Sequence, residues 1–261
     1  MSIFSDAERR DLTRALIPIS RAAAVEILRV YRTDMTVEHK DDRSPETEAD
    51  KAADEVIVPA LRDLTPDIPI VSEERKAEDI SGGVFWLVDP LDGTKEFIAH
   101  RDEFTVNIAL VEGDTPILGL VGIPVEDSHY LGWGPGTAEL VAGTAAPKPI
   151  SCRTRPDEGI VVAASRSHQS RSDLDDFLDR FTVADFIAAG SALKFCRVAE
   201  GAVDLYPRFK PTMEWDTAAG HALIHSAGGH VMGLDGGPFV YGKETFLNPG
   251  FIAIGNWELT L

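Results

Sequence analysis

Val84-Phe85-Trp86-Leu87-Val88-Asp89-Pro90-Leu91-Asp92-Gly93-Thr94 is the stretch on which the reading of the chain turns. Its apolar run is short, branched or aromatic, and bounded by Gly82-Gly83, which reads as a buried strand. The strand feeds into Asp89 and Asp92, which are separated by a proline and closed by Gly-Thr. Pro90 fixes its own φ and Gly93 permits a tight turn, so both carboxylates are held at a strand end. Carboxylates held so close repel unless a cation lies between them. Their hard oxygens suit Mg²⁺ or Mn²⁺ far better than zinc. Asp and Gly are also ordinary turn residues, so the rest of the chain has to decide.

Working outward, the acidic pattern recurs. Ile68-Pro69-Ile70-Val71 reads as a short strand that runs into Ser72-Glu73-Glu74. Before it, Thr47-Glu48-Ala49-Asp50 opens a helix running to about Leu64, with Ala53, Val56, Ile57, Ala60 and Leu61 on its apolar face. Taken alone, Glu48 and Asp50 are explained by the helix dipole. A first helix is expected over about residues 6–32, capped by Ser5 or Asp6 and bent at Pro18. The polar residues 38–46 between the helices read as a loop or loose hairpin.

Downstream, Phe104, Val106, Ile108 and Leu110 alternate through a strand over 103–112. Further strands are expected over 117–125, 129–133 and 138–142. Gly132-Trp-Gly-Pro-Gly136 lacks a third glycine in register and opens no helix, so it reads as a hairpin turn rather than a dinucleotide fingerprint. The second half alternates: strand 160–164, helix 172–180, strand 182–187, helix 192–200, strand 202–206, and an alanine-rich helix over 215–227 stopped by Gly228-Gly229. Ser165-Arg166-Ser167-His168 and Gly190-Ser191 sit at loop-to-helix junctions suited to anions.

Composition narrows the function classes. The 261 residues suffice for one large domain or two packed halves, and 44% apolar content supports a sizeable core. A formal charge of −18 argues against a nucleic-acid backbone as partner. A small anionic substrate remains open, because metal ions and local cations override the global field. Cys152 and Cys196 form no C-x-x-C pair, which fits a reduced, cytoplasmic protein. No signal peptide or membrane span is apparent, so a soluble protein is expected. A peripheral association with the inner membrane stays open, although the charge disfavours anionic lipid. His221 and His225 are spaced i, i+4, but no Glu follows His221, so a packed helix face outweighs a zinc site.

Asp50, Glu73 with Glu74, Asp89 with Asp92, and Asp216 all lie at element ends. Their convergence would make a multi-metal site able to hydrolyse a phosphate ester. A hydroxyl such as Thr94 could orient the attacking water while a carboxylate such as Asp50 accepts from it.

Glu73-Glu74, Asp89-Pro-Leu-Asp92-Gly-Thr94 and Trp215-Asp216-Thr-Ala-Ala-Gly220, in this order across the chain, resemble the signatures of the Mg²⁺-dependent, Li⁺-sensitive inositol monophosphatase superfamily. Lys95-Glu96-Phe97, Gly190-Ser-Ala-Leu-Lys194-Phe-Cys196, Leu205-Tyr-Pro-Arg208-Phe and Phe246-Leu-Asn-Pro-Gly-Phe251 look like its CysQ-type branch, the 3′(2′),5′-bisphosphate nucleotidases. The resemblance implies the αβαβα sandwich shared by inositol monophosphatases and fructose-1,6-bisphosphatases. It implies an N-terminal α+β half over 1–150 with most metal ligands, and a C-terminal α/β half over 151–261 with the nucleotide-binding residues and Asp216.

It further implies two or three Mg²⁺ ions, replaceable by Mn²⁺, on Glu73, Asp89, the carbonyl of Leu91, Asp92 and Asp216. Asp50, Glu73 and Thr94 would be catalytic. The amides of Gly93 and Thr94 would hold the scissile phosphate, and Ser165, His168, Ser191, Lys194 and Arg208 the nucleotide. The implied reaction takes adenosine 3′,5′-bisphosphate to AMP and phosphate in sulfur assimilation, with the phosphosulfate analogue a further substrate. The partner is thus a small phosphorylated nucleotide, and the protein a monomer or homodimer. An inositol-1-phosphatase or sugar-bisphosphatase of the same superfamily is the alternative. A catalytically silent sensor would lack a ligand or Thr94, and all are present. Two departures stand out: Ala192 where relatives often carry a second serine, and Glu46 beside Pro45 where an apolar residue is common, which bears on the approach of the Lys40 loop.

Overall fold

The computed structural model describes residues 2–33, 37–39, 45–165 and 171–259. Helix α1 (Asp6–Tyr31) starts at Ser5, whose hydroxyl accepts from the Glu8 amide while the Glu8 carboxylate accepts from the Ser5 amide at 2.8 Å. It continues through Pro18 as one helix. Strands β1 (Val37–His39) and β2 (Pro45–Thr47) pair antiparallel and lead into α2 (Glu48–Leu64). Thr47 and Asp50 repeat the reciprocal cap at the start of α2.

Seven strands follow in one sheet, in sequence order: β3 (Ile70–Ser72), β4 (Val84–Asp92), β5 (Thr105–Glu112), β6 (Thr115–Ile123), β7 (Ser128–Gly132), β8 (Glu139–Ala142) and β9 (Lys148–Pro149). Only the β3–β4 pair is parallel. β4 does not stop before the aspartates, as the sequence predicts, but carries them. Asp89 still faces Asn107 and Asp92 faces Thr105, with the register slipping between them where Pro90 has no amide to donate. The short helix α3 (Thr94–Ile98) follows at once from Gly93.

The second sheet is built from β10 (Ile160–Ala164), β11 (Val183–Ala188), β12 (Leu205–Arg208), β14 (His230–Gly233) and β16 (Phe251–Ile254), in the order β11-β10-β12-β16-β14. A separate ribbon pairs β13 (Thr212–Met213) with β15 (Leu247–Asn248). Helices α4 (Arg171–Leu178), α5 (Leu193–Ala199) and α6 (Ala218–Ser226) complete the set.

Side-chain parity stacks these elements into five layers. Trp86 and Val88 face one way from β4 and pack with Leu16, Ile27, Ile57 and Leu61 of α1 and α2. Phe85 and Leu87 face the other way, into a core shared with Phe195 of α5, Leu223 of α6, and Tyr206, Phe251 and Ala253 of the second sheet. Ile160, Val162, Leu205 and Ile254 leave the far face of that sheet to meet Phe177 and Leu178 of α4. The result is the αβαβα sandwich expected. Sheets covered on both faces read as continuous apolar runs, which is why 84–88 carries no polar alternation.

The alanine-rich α6 lies between the two sheets, and its composition follows from that position. A Cβ on Gly119 of β6 would come within 2.7 Å of the Ala219 carbonyl, and one on Gly220 within 2.3 Å of Cγ of Phe195. α6 begins at Ala218 rather than 215, because residues 212–217 form a turn around the Asp216 carboxylate. Gly220→Ala would gain about 1 kcal/mol of intrinsic helix propensity on an exposed helix. Here the overlap with Phe195 dominates, so urea melts of this variant should show a net loss of about 1–3 kcal/mol. A neutral or stabilising result would mean that α5 and α6 are not packed as described.

Candidate active site

Strand ends and helix starts of both sheets meet at one cleft. Its lining includes Glu73, Asp92, Gly93, Thr94 and Asp216 together with Ser165, Ser191, Lys194 and Arg208. Asp89 is buried beneath, 1% exposed, and Leu91 packs its side chain into the core. His168 and Lys40 lie outside the described residues.

Local structure fixes each acid. Glu73 follows β3 and its amide donates to the Val88 carbonyl at 3.1 Å, which sets it beside Asp89. Asp89 Oδ1 accepts from the Leu91 amide at 3.1 Å, a turn that Pro90 favours. Asp92 Oδ2 accepts from Asn107 Nδ2 at 3.2 Å and from the Ala192 amide at 2.6 Å. That last bond joins the first sheet to the start of α5. Asp216 Oδ2 accepts from the Met213 amide at 3.0 Å and from the Thr212 hydroxyl. Carboxylate oxygens of Glu73, Asp89 and Asp216 all lie within 4.8 Å of one another.

Asp50 sits in the first turn of α2, 3% exposed. One oxygen accepts from the Thr47 amide and hydroxyl at 2.8 and 2.7 Å. The other accepts from the Thr94 hydroxyl at 3.3 Å. The cap thus leaves one Asp50 oxygen aimed at Thr94. Gly93, at φ 96°, has Ser191 and the Glu103 carbonyl so close that a Cβ would lie 3.2 and 3.0 Å from them. This approach brings the turn after β4 against the loop before α5.

The basic wall differs in detail from what the sequence suggests. Lys194 is 2% exposed, and its Nζ donates to the carbonyls of Ser191 at 2.7 Å and Ala189 at 3.1 Å, over the Tyr206 ring. The ammonium therefore also shapes the Gly190–Ser191 loop, in which Ser191 holds a left-handed φ of 44°. Arg208 ends β12 at the cleft. Ala192 meets Asp92 through its backbone amide, a contact that a serine there would make equally.

Sequence reasoning missed Asn107 and Thr212, which hold Asp92 and Asp216, and Glu103, whose Oε2 accepts from the Gly190 amide at 2.8 Å. Asn107 had a signal: it is a polar residue between Val106 and Ile108 in a strand buried on both faces.

Electrostatics explain what the acids can hold. At an effective dielectric of about 20, two unit charges about 4 Å apart repel by about 4 kcal/mol. Burial, followed by the charges of Glu73, Asp92, Asp216 and Asp50, pushes the Asp89 carboxyl well above its ordinary range. Burial raises Asp92 too, opposed by Lys194 and the Asn107 amide. Burial and the charges of Asp92 and Glu73 push Asp216 up to about 7. Such a cluster demands protons or cations at neutral pH, and an all-oxygen donor set fits Mg²⁺ or Mn²⁺.

The profile of the inositol monophosphatase family matches residues 8–259, so the chain belongs to that family. Within it, the chain is 46% identical to the Escherichia coli K12 3′(2′),5′-bisphosphate nucleotidase CysQ over 244 residues, covering 89% of this chain and 95% of the relative. The crystal structure of CysQ from Bacteroides thetaiotaomicron superposes with a TM-score of 0.81 at 35% identity, covering 95% of this chain and 98% of that one. A Thermotoga maritima IMPase superposes with a TM-score of 0.77 at 25% identity, over 94% and 92%.

The raised carboxyls give a pH signature. Asp216 binds its proton more tightly folded, at about 7, than unfolded, at about 3.9. Its stabilising contribution is therefore complete below about pH 4 and lost as pH rises through about 7. A cation replacing those protons relieves more repulsion at high pH. The Tm gain from saturating Mg²⁺ should be larger near pH ~8 than near pH ~5.5 by differential scanning fluorimetry. Equal gains would remove these carboxylates from the binding event.

Proposed function

We propose that this enzyme is a 3′(2′),5′-bisphosphate nucleotidase that removes the 3′-phosphate of adenosine 3′,5′-bisphosphate, giving AMP and phosphate. The observation that carries the reading is the 46% identity to a CysQ nucleotidase across nearly both full lengths. The cleft supports it by bringing Lys194 and Arg208 into the same lining as the acids, which suits a substrate with a second phosphate. The phosphosulfate analogue, which differs at the 5′ end, is a further substrate on this reading.

Glu73, Asp89, the Leu91 carbonyl, Asp92 and Asp216 would hold two or three Mg²⁺ ions, with Mn²⁺ as substitute. Bound there, Mg²⁺ would supply positive charge to the phosphate oxygens and lower the pKa of a nearby water. The Thr94 hydroxyl donates to Asp50, so its lone pair is left to accept from the attacking water and orient it. The water oxygen bonds to phosphorus as the bond to O3′ breaks. The water's proton moves toward Thr94 and Asp50, and O3′ leaves with the bonding electron pair and takes a proton from solvent water. Glu73 shares in placing that water. The amides of Gly93 and Thr94 hold the phosphate, while Ser165, Ser191, Lys194 and Arg208 hold the rest of the nucleotide, with His168 in the same role. On this reading the half up to residue 150 supplies most of the hydrolytic machinery and the half from 151 supplies Asp216 and the nucleotide contacts. Li⁺ should inhibit by competing at this site.

Phosphate release with Mg²⁺ distinguishes the substrate classes. The expected outcome is strong preference for adenosine 3′,5′-bisphosphate over inositol 1-phosphate, suppressed by Li⁺. Preference for inositol 1-phosphate would replace this reading with that of an inositol monophosphatase. Thr94→Ala should lower kcat by about 10²–10⁴-fold with an unchanged circular dichroism spectrum; wild-type turnover would exclude Thr94 from orienting water.

A further inference from the structure

Glu214 is the acid of the Glu-Trp-Asp sequence that the hydrolytic machinery does not use. It is fully buried, yet it points away from the cleft. Its carboxylate is saturated by one loop: Oε2 accepts from the Gly242 amide at 2.7 Å, and Oε1 from the Lys243 amide at 3.0 Å and Lys243 Nζ at 2.6 Å. Its own amide donates to the Phe246 carbonyl at 2.8 Å. Its carbonyl accepts from the Thr217 and Ala218 amides at 3.1 and 3.0 Å, and so starts α6.

These bonds bracket Asp216. Thr212 and Met213, the donors to Asp216 Oδ2, form β13, whose strand pairing is the two-residue register with β15. A ribbon this short cannot fix a carboxylate by itself. The same loop returns on the other side of the turn, where Tyr241 and Asn248 donate to Thr217 Oγ1 at 3.3 and 2.8 Å. A buried carboxylate that accepts several amide hydrogens is a strong anchor, since leaving any of them unpaired is costly.

We propose that Glu214 is a positioning residue for the metal site: by clasping Gly242 and Lys243 it locks the β13–β15 ribbon, and through Thr212 and Met213 it sets the Asp216 carboxylate. The proposal rests on Asp216 being a metal ligand, as in the reading above. Loss of the clasp should act on cation affinity rather than on nucleotide binding, because among the described residues no bond of Glu214 reaches Ser165, Ser191, Lys194 or Arg208. Outer groups that orient ligands affect metal affinity by about 10–100-fold when removed.

The test uses full-length, metal-stripped protein titrated with Mn²⁺ alone, free ion being read by electron paramagnetic resonance, beside the Mg²⁺ dependence of turnover. Glu214→Gln places an NH₂ group against the amides it now accepts from. It should weaken Mn²⁺ binding roughly tenfold and raise the Mg²⁺ needed for half-maximal rate in parallel, with KM for the nucleotide within about twofold. Glu214→Asp, which keeps the charge but shortens the reach, should recover part of the affinity. Lys243→Met leaves both backbone donors in place and should weaken Mn²⁺ binding less than Glu214→Gln does. It supplies the reading if Glu214→Gln does not fold, when wild-type affinity in Lys243→Met would overturn the clasp. A folded Glu214→Gln with wild-type Mn²⁺ affinity would overturn it directly. Asp216→Asn separates the two layers of inference. If it too binds Mn²⁺ as wild type, the metal-site reading falls; if it alone loses binding, only the clasp does.

Discussion

Mutual repulsion among carboxylates that the fold withdraws from water governs the architecture around the cleft. Asp89, Asp92 and Asp216 would each prefer water or distance from the others, yet Asp89 is buried, the other two are half-buried, and the chain holds all three close together. Asp89 is fixed in a strand covered on both faces, Asp92 is tied to Asn107 and to the Ala192 amide, and Asp216 is tied to the 212–213 ribbon. The compensation is distributed: backbone amides, Lys194 and Arg208 offset part of the charge and leave the rest for cations or protons. Strain of this kind persists at sites because the surrounding packing over-determines it.

That packing depends on how closely the layers approach. α6 lies between the sheets, and glycines on β6 and in α6 itself let it come within van der Waals distance of its neighbours. The same helix begins where the Asp216 turn ends, so the small residues of Thr217-Ala-Ala-Gly220 and the acid before them serve one geometry. The motif Trp215-Asp216-Thr-Ala-Ala-Gly220 thus has two physical parts, a ligand and a helix thin enough to bring that ligand to the first sheet.

Individual elements were legible because 84–88 is a continuous apolar run, 103–112 alternates, and α1 and α2 carry regular apolar spacing, whereas the layered arrangement came from the resemblance of the acidic motifs to a known superfamily. Residues 230–233 and 251–254 gave no strand signal: four residues are too few to establish a period, and partners far away in sequence stabilise them. The end of β4 was misplaced since proline normally stops a strand, and only the bulge opposite Thr105 to Asn107 lets pairing resume. At the site, acids at element ends announced themselves. Of the groups around them, only Asn107 left a trace, as a polar residue among apolar neighbours; Thr212, which holds Asp216, and Glu103, which holds the Gly190 amide, act through contacts that only the tertiary structure creates. Lys194 shows the limit from the other side: the family resemblance assigned it to the nucleotide but could not show that its ammonium also braces the chain around Ser191.

The last strand, Phe251–Ile254, is an interior strand, lying between β12 and β14. During synthesis the second sheet therefore stays open along its middle until these residues leave the ribosome, and Leu205 to Arg208 wait with unpaired amides and carbonyls for a partner about fifty residues behind. Any factor that meets the chain at that stage would find an exposed sheet edge, which closes only when Phe251–Ile254 pairs with Leu205–Arg208.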